Sequence, residues 1–209
     1  MGIPVMIMGE SGSGKSTSLR NFSPDEIGIF NVASKPLPFR SSGMKLVNHA
    51  TYSGIIKSLK KNLLNCYAID DSQYLMCFEM FEYAKEKGYE KFTTMALNFY
   101  TLLQSVINDT NDSTIVYFLH HTEASDGVFR AKTVGKMLNE KLTVEGLFSI
   151  VLMCTADEDG HHFVTQSDGH STAKSPMGMF EQMEIDNDLK AVDTAIREYY
   201  GLTKQEEKS

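Results

Sequence analysis

The chain has 209 residues, 42% of them hydrophobic, and a formal charge of −7. That is enough apolar material for one α/β domain with a sizeable core, and no Pro/Gly/Ser-rich linker divides it. The acid excess excludes a protein coated in positive charge, so any contact with nucleic acid must come from a local patch.

No apolar run approaches the roughly 20 residues needed to cross a bilayer, and the N-terminus shows no basic region with a cleavage site. Cys66, Cys77 and Cys154 lack C-x-x-C spacing, which argues against a zinc site and a disulfide framework. A soluble, cytosolic chain that avoids membranes is expected, with a single domain over residues 1–203. The last residues, 204–209, form a charged, frayed tail.

The first predicted strand, about residues 3 to 8, runs directly into "GESGSGKST", residues 9–17. This fits G-x-x-x-x-G-K-[ST] in full, with Gly9, Gly14, Lys15 and Ser16 at the fixed positions. A buried strand, a glycine-rich turn and a following helix point successive backbone N–H groups at one spot, where the helix N-terminus adds partial positive charge. Gly9, Glu10, Ser11, Gly12, Ser13, Gly14, Lys15, Ser16 and Thr17 would then wrap the phosphates of ATP or a close relative. Lys15 would reach the β- and γ-phosphates, and the Ser16 hydroxyl would ligate Mg²⁺.

Further strands are expected at about 27–32, 45–48 and 65–70. The run "CYAID" ends in Asp70, and Asp71 and Ser72 follow where a helix begins, so Asp70 emerges at the C-terminal strand edge beside the phosphate loop. There it can hold Mg²⁺ through water. Asp71 and Ser72 are also good helix-capping residues.

Phe92, Ala96, Phe99, Leu103 and Val106 recur at three- and four-residue steps and predict an amphipathic helix. The strand at 114–120 carries little polar alternation, which suits a central parallel strand covered on both faces. Its end, "YFLHHTE", sends His120 and His121 to opposite faces, so at most one of them points at a nucleotide.

Residues 124–142 bear Arg130, Lys132, Lys136 and Lys141 against Asp126 and Glu140, with Phe129 among them. A basic segment with an aromatic suits single-stranded nucleic acid. A solvated hairpin followed by a helix with ordinary surface lysines explains the same residues.

Strands at 149–155 and 161–166 are joined through Asp159-Gly160, a hairpin signal. Leu189, Val192, Ile196 and Tyr199 predict a final amphipathic helix. The fold class that follows is α/β, a mostly parallel central sheet flanked by helices with an antiparallel hairpin at the C-terminal edge.

The glycine loop at the N-terminus, "YAIDDSQYL", the long amphipathic helix, "VYFLHHTE" and a late "TAKSPMG" follow one another in an order that resembles phage-encoded P-loop ATPases with a minimal RecA-type core. Some of these are single-strand annealing proteins. The resemblance spans roughly residues 3 to 180, and only the phosphate loop is specific by itself. It implies a RecA-like sheet, binding of ATP with Mg²⁺, self-assembly into a ring or filament, and action on single-stranded DNA in phage recombination or replication in the host cytoplasm, with a phage or host single-strand-binding protein as a further partner.

Under that resemblance Asp71 stands where many such ATPases carry a water-polarising Glu, and it fits a shorter base as well as it fits a cap. Glu123 is the other candidate base. His120 to Glu123 fall at the γ-phosphate sensor, and Arg130, Lys132 and Lys136 lie in the DNA-binding loop. Lys174 falls where a cation reaches the γ-phosphate of the next subunit, and a plain loop lysine ahead of Pro176 accounts for it equally.

The chain departs from the pattern in having no acid between Phe30 and Phe39, where RecA-type enzymes usually place a catalytic Glu. Slow hydrolysis is expected. Two other readings stay open. A small-molecule kinase usually needs an arginine-rich lid, and the four arginines, Arg20, Arg40, Arg130 and Arg197, do not cluster. A non-hydrolysing switch would use the helix from Leu189 as its docking surface.

Overall fold

The structure is a computed structural model that describes residues 1–88, 90–134 and 143–202. Its first strand, β1 (Ile3–Gly9), is an uninterrupted apolar run. Val5, Met6, Ile7 and Met8 are all fully buried. A strand apolar on both faces can only sit inside a sheet covered on both sides, where each such side chain contributes about 1.5–3 kcal/mol. Met6 and Met8 point into one core and Val5 and Ile7 into the other.

The strands that follow are β2 (Gly28–Asn31), β3 (Lys45–Asn48), β4 (Cys66–Asp70), β5 (Ile115–Ser125), β6 (Val128–Ala131), β7 (Ile150–Ala156), β8 (His161–Val164) and β9 (Glu184–Asp186). Among the described residues they form one sheet in the order β3-β2-β4-β5-β1-β7-β8-β9, with β6 paired to β5. From β3 to β7 the pairing is parallel, and β8 and β9 add an antiparallel edge. The architecture is therefore mixed α/β with a mostly parallel central sheet flanked by helices.

Helices α1 (Tyr52–Leu59), α2 (Gln73–Glu82) and α3 (Glu90–Asp109) cover one face. Along α3, Met95, Phe99, Leu102, Leu103 and Val106 are buried, and the Phe99 ring meets Phe118 of β5 at 6.0 Å. Helix α4 (Leu189–Tyr199) covers the other face with Leu189, Val192 and Ile196. Its apolar stripe is thus spent on the chain's own core.

Three local features differ from the sequence expectation. The segment after the glycine loop is a six-residue 3-10 helix, Ser16–Asn21. Strand β5 runs past its expected end at His120 to Ser125 and turns at Asp126-Gly127 into β6, so the first half of the basic segment is a β-hairpin, as the solvated-hairpin reading of these residues expects. The final antiparallel element gains a third strand, β9. The hairpin expected at Asp159-Gly160 is present, with the Asp157 carboxylate accepting from the N–H of Asp159 and of Gly160. The charged tail at 204–209 lies outside the described residues, and among those described no helix is long and apolar enough to cross a membrane.

Candidate functional site

Parallel pairing fixes the neighbours of the glycine loop. Gly9 lies opposite His121 on β5 and opposite Cys154 on β7, while Asn31 lies opposite Asp70. The C-terminal ends of β1, β2, β4 and β5 thus converge on one edge, the position where open α/β sheets form ligand crevices. A cleft of about 210 Å³ opens there, lined by Ser11, Gly12, Gly14 to Thr17, Lys35, Pro36, Pro38, Asp70, Asp71 and His121.

The loop is wound for close backbone approach. Gly12 and Gly14 have φ of 84° and 100°, and a Cβ on Gly14 would stand 2.8 Å from the His161 ring. Among the described residues the N–H groups of Ser11, Gly12, Gly14 and Lys15 donate to no carbonyl. Successive unpaired amides on a tight turn make a concavity suited to an anion. Behind the loop, the Ser13 carbonyl accepts from the Cys154 thiol at 3.0 Å and from His161 Nδ1 at 2.9 Å. Burial pushes the Cys154 thiol up to about 11, so it stays a neutral donor. The β7–β8 hairpin therefore buttresses the loop.

Lys15 is buried and folds back on its own loop, donating to the carbonyls of Gly9 (2.9 Å) and Glu10 (2.7 Å). Burial lowers its pKa, and Asp70 and Asp71 oppose that shift. The Ser16 hydroxyl donates to Asp70 Oδ1 at 2.7 Å, and burial raises the pKa of the Asp70 carboxyl. A hydroxyl and a buried carboxylate in contact at the mouth of an amide-lined loop are a donor set for a hard divalent cation whose other ligands come from water and phosphate. These residues fit Mg²⁺ and a polyphosphate. Among the described residues no group of three or more His, Cys, Asp or Glu side chains is disposed to hold a metal ion.

No protein-family model matches the chain, and no curated protein matches it. The site therefore rests on its own geometry.

Asp71 lines the cleft in a left-handed backbone, φ 59°. That conformation costs a non-glycine residue about 1 kcal/mol or more. It does not cap α2, and neither does Ser72 through its side chain. Instead Asp71 Oδ2 meets Lys35 Nζ at 2.6 Å and Oδ1 meets His121 Nε2 at 3.0 Å. Burial pushes the Asp71 carboxyl up, but the bonds from His121 and Lys35 outweigh it and hold the pKa below its ordinary value. Held this way, Asp71 is a weak base until one of its partners leaves.

The two histidines divide as alternation requires. His121 faces the cleft, whereas His120 is fully buried beside Phe99. The His120 Nε2–H donates to the Lys132 carbonyl at 2.8 Å, which leaves Nδ1 to accept from the Ser72 hydroxyl at 2.9 Å. Burial pushes its pKa from 6.5 down to about 4. The unfolded chain binds a proton near pH 6.5 and the folded chain does not, so the contribution to stability is full above pH 6.5 and is lost as pH falls toward 4. Between pH 7 and 4.5 this should remove about 2–3 kcal/mol. Urea unfolding of wild type and His120→Gln at the two pH values checks it: the variant should lose less, and identical losses would refute the assignment.

Other expected residues lie apart. Glu123 is opposite Arg130 in the β5–β6 hairpin and lines a separate cleft with Arg130, Thr133, Thr143 and Glu145. Arg130 and Lys132 are exposed, and Lys136 lies outside the described residues. Lys174 pairs backbone to backbone with Val151, three residues before the Cys154 that backs the loop, and it does not line the 210 Å³ cleft. Sequence reasoning missed Lys35. The one signal for it was a lysine in the loop after β2, immediately ahead of Pro36.

Proposed function

We propose that the chain is a Mg-ATP-binding, RecA-like P-loop ATPase that assembles with copies of itself and acts on single-stranded DNA, hydrolysing slowly unless DNA is present. The observation that supports this most is the combination at one strand edge of four unpaired loop amides, Lys15, and the Ser16–Asp70 contact. The loop amides and Lys15 would bind and orient the β- and γ-phosphates, and Ser16 and Asp70 would hold Mg²⁺. The metal supplies charge neutralisation across those phosphates. Asp71 and His121, which line the same cleft, would face the terminal phosphate.

Slow hydrolysis fits the residues that would act as base. Where a catalytic acid would follow β2 the chain has Lys35, and Asp71 is already bound to that lysine and to His121. The exposed Arg130 and Lys132, on the hairpin that extends β5 from the cleft, offer a cationic route from DNA to the nucleotide. ATP turnover should rise at least several-fold with single-stranded DNA at low salt, and the effect should fade steeply as salt rises. Absence of stimulation over a range of DNA lengths would remove the DNA part of this reading.

A small-molecule kinase is the second reading. It is favoured by a larger cleft of about 510 Å³ between α1, α2 and α3, lined by Val32, Tyr52, Leu75, Phe78, Glu79 and Asn98. Val32 and Leu75 lie three and four residues from Lys35 and Asp71. The cleft has carboxylates at Glu79 and Glu82 and, among the described residues, no lysine or arginine, so it suits an uncharged or cationic acceptor.

A further inference from the structure

Lys35 enters the cleft from a segment built to hold it. The buried Asn31 side chain, at the end of β2, donates to the Lys35 carbonyl at 2.7 Å and to Asn48 Oδ1 at 3.0 Å. Ser34 adopts φ 55°, and its hydroxyl accepts from the His49 N–H at 2.7 Å. Pro36 follows directly and confines Lys35 to an extended backbone, and Pro38 does the same for Leu37. Both prolines line the cleft. The main chain is thus pinned on three sides, while the Lys35 side chain is 59% exposed and free to swing.

Its present partners are the Asp71 carboxylate and, at 5.3 Å, the Tyr74 ring. An ion pair with one partner this exposed is weak, so exchanging it for another anion costs little. Asp71 would not be stranded by the exchange, because His121 still holds its other oxygen. Lys15, by contrast, is held within the loop by the Gly9 and Glu10 carbonyls.

Resting on the nucleotide reading above, we propose that Lys35 recognises the terminal phosphate of a nucleoside triphosphate within its own chain, leaving Asp71 to His121 when it does so. The Asp71 carboxylate marks the anion position that Lys35 serves when no triphosphate is present. Lys35 is then the residue that distinguishes a triphosphate from a diphosphate, which lacks the group it reaches. Lys15, placed for the β-phosphate as well, would bind both.

Titration calorimetry with MgATP and MgADP tests this on wild type, Lys35→Ala, Lys35→Arg and Asp71→Asn. Lys35→Ala should weaken MgATP by about tenfold or more and leave MgADP within about twofold. Lys35→Arg should recover part of the preference, and Asp71→Asn, which frees the lysine, should hold or improve MgATP affinity. If wild type binds MgATP and the alanine variant loses both nucleotides equally or neither, Lys35 serves only to neutralise Asp71 and the proposal fails. Wild type that binds neither nucleotide overturns the underlying reading as well.

Discussion

Replacing Lys15 with alanine should weaken MgATP and MgADP together by at least about 100-fold, close to 3 kcal/mol of lost charge-assisted contact. The expectation follows from where the ammonium sits. Its nitrogen is 2.9 Å and 2.7 Å from the Gly9 and Glu10 carbonyls, inside the turn whose amides are unpaired. An anion drawn to those amides would meet the lysine within the same turn. The variant also leaves two carbonyls of the loop without this donor, a folding cost of about 1 kcal/mol or more. Lys15→Arg separates the effects, since it keeps the charge while its planar fork cannot reproduce both bonds. Calorimetry with both nucleotides, set beside unfolding midpoints, is the measurement. A Lys15→Ala chain that folds and keeps wild-type affinity would move the nucleotide away from this loop. The paired loss also distinguishes Lys15 from Lys35, for which only the triphosphate should suffer.

Much of the sheet was legible because its strands are short, continuous and apolar, bounded by sharp polar ends. The expected runs at 3–8, 45–48 and 65–70 differ from β1, β3 and β4 by no more than a residue at each end. Asp70 beside Ser16 was legible for the same reason, since a strand edge fixes where its last residue emerges. What escaped was set by tertiary contact. The residue Lys35 belongs to no motif, and its meaning arises only when β2 and β4 bring Asp71 within 2.6 Å. His161 reads as one residue of a hairpin until the fold sets its ring under Gly14 and its Nδ1 on the Ser13 carbonyl. Helix α1 was also missed, although Thr51 caps it by accepting from the Gly54 N–H. Tyr199 continues the apolar stripe of α4 in sequence, yet it is 44% exposed.

The largest effect on folding is expected at a position far from the glycine loop. Tyr117, fully buried near the start of β5, donates its hydroxyl to Asp193 Oδ1 at 2.9 Å. Arg197, one turn further along α4, donates to Asp193 Oδ2 at 2.6 Å and reaches the carbonyls of Ser113 and Asn65, which lie just before β5 and β4. One carboxylate thus satisfies a buried phenol and anchors the guanidinium that clips α4 to two central strands. The other end of the same helix is tied to the segment behind the glycine loop. Arg20 donates to the Asn187 carbonyl at 2.6 Å, Asn21 to Asp188 at 2.7 Å, and Asn187 to the Cys154 sulfur at 3.2 Å. Asp193→Ala strands the Tyr117 hydroxyl and the half-buried Arg197 together. Removing one partner of such a pair costs about 3–5 kcal/mol. In a chain of this size that lowers the unfolding midpoint on the order of 10 °C. Because α4 spans from the strand starts to the loop support, nucleotide affinity should fall in the same variant as the loop loosens. Adding Tyr117→Phe and Arg197→Met to Asp193→Ala should recover part of the stability, since neither the phenol hydroxyl nor the guanidinium is then left without the Asp193 carboxylate. Thermal unfolding of the single and triple variants decides the matter: a single-variant loss under about 1 kcal/mol, or no recovery in the triple, would show that α4 is held by its apolar face alone.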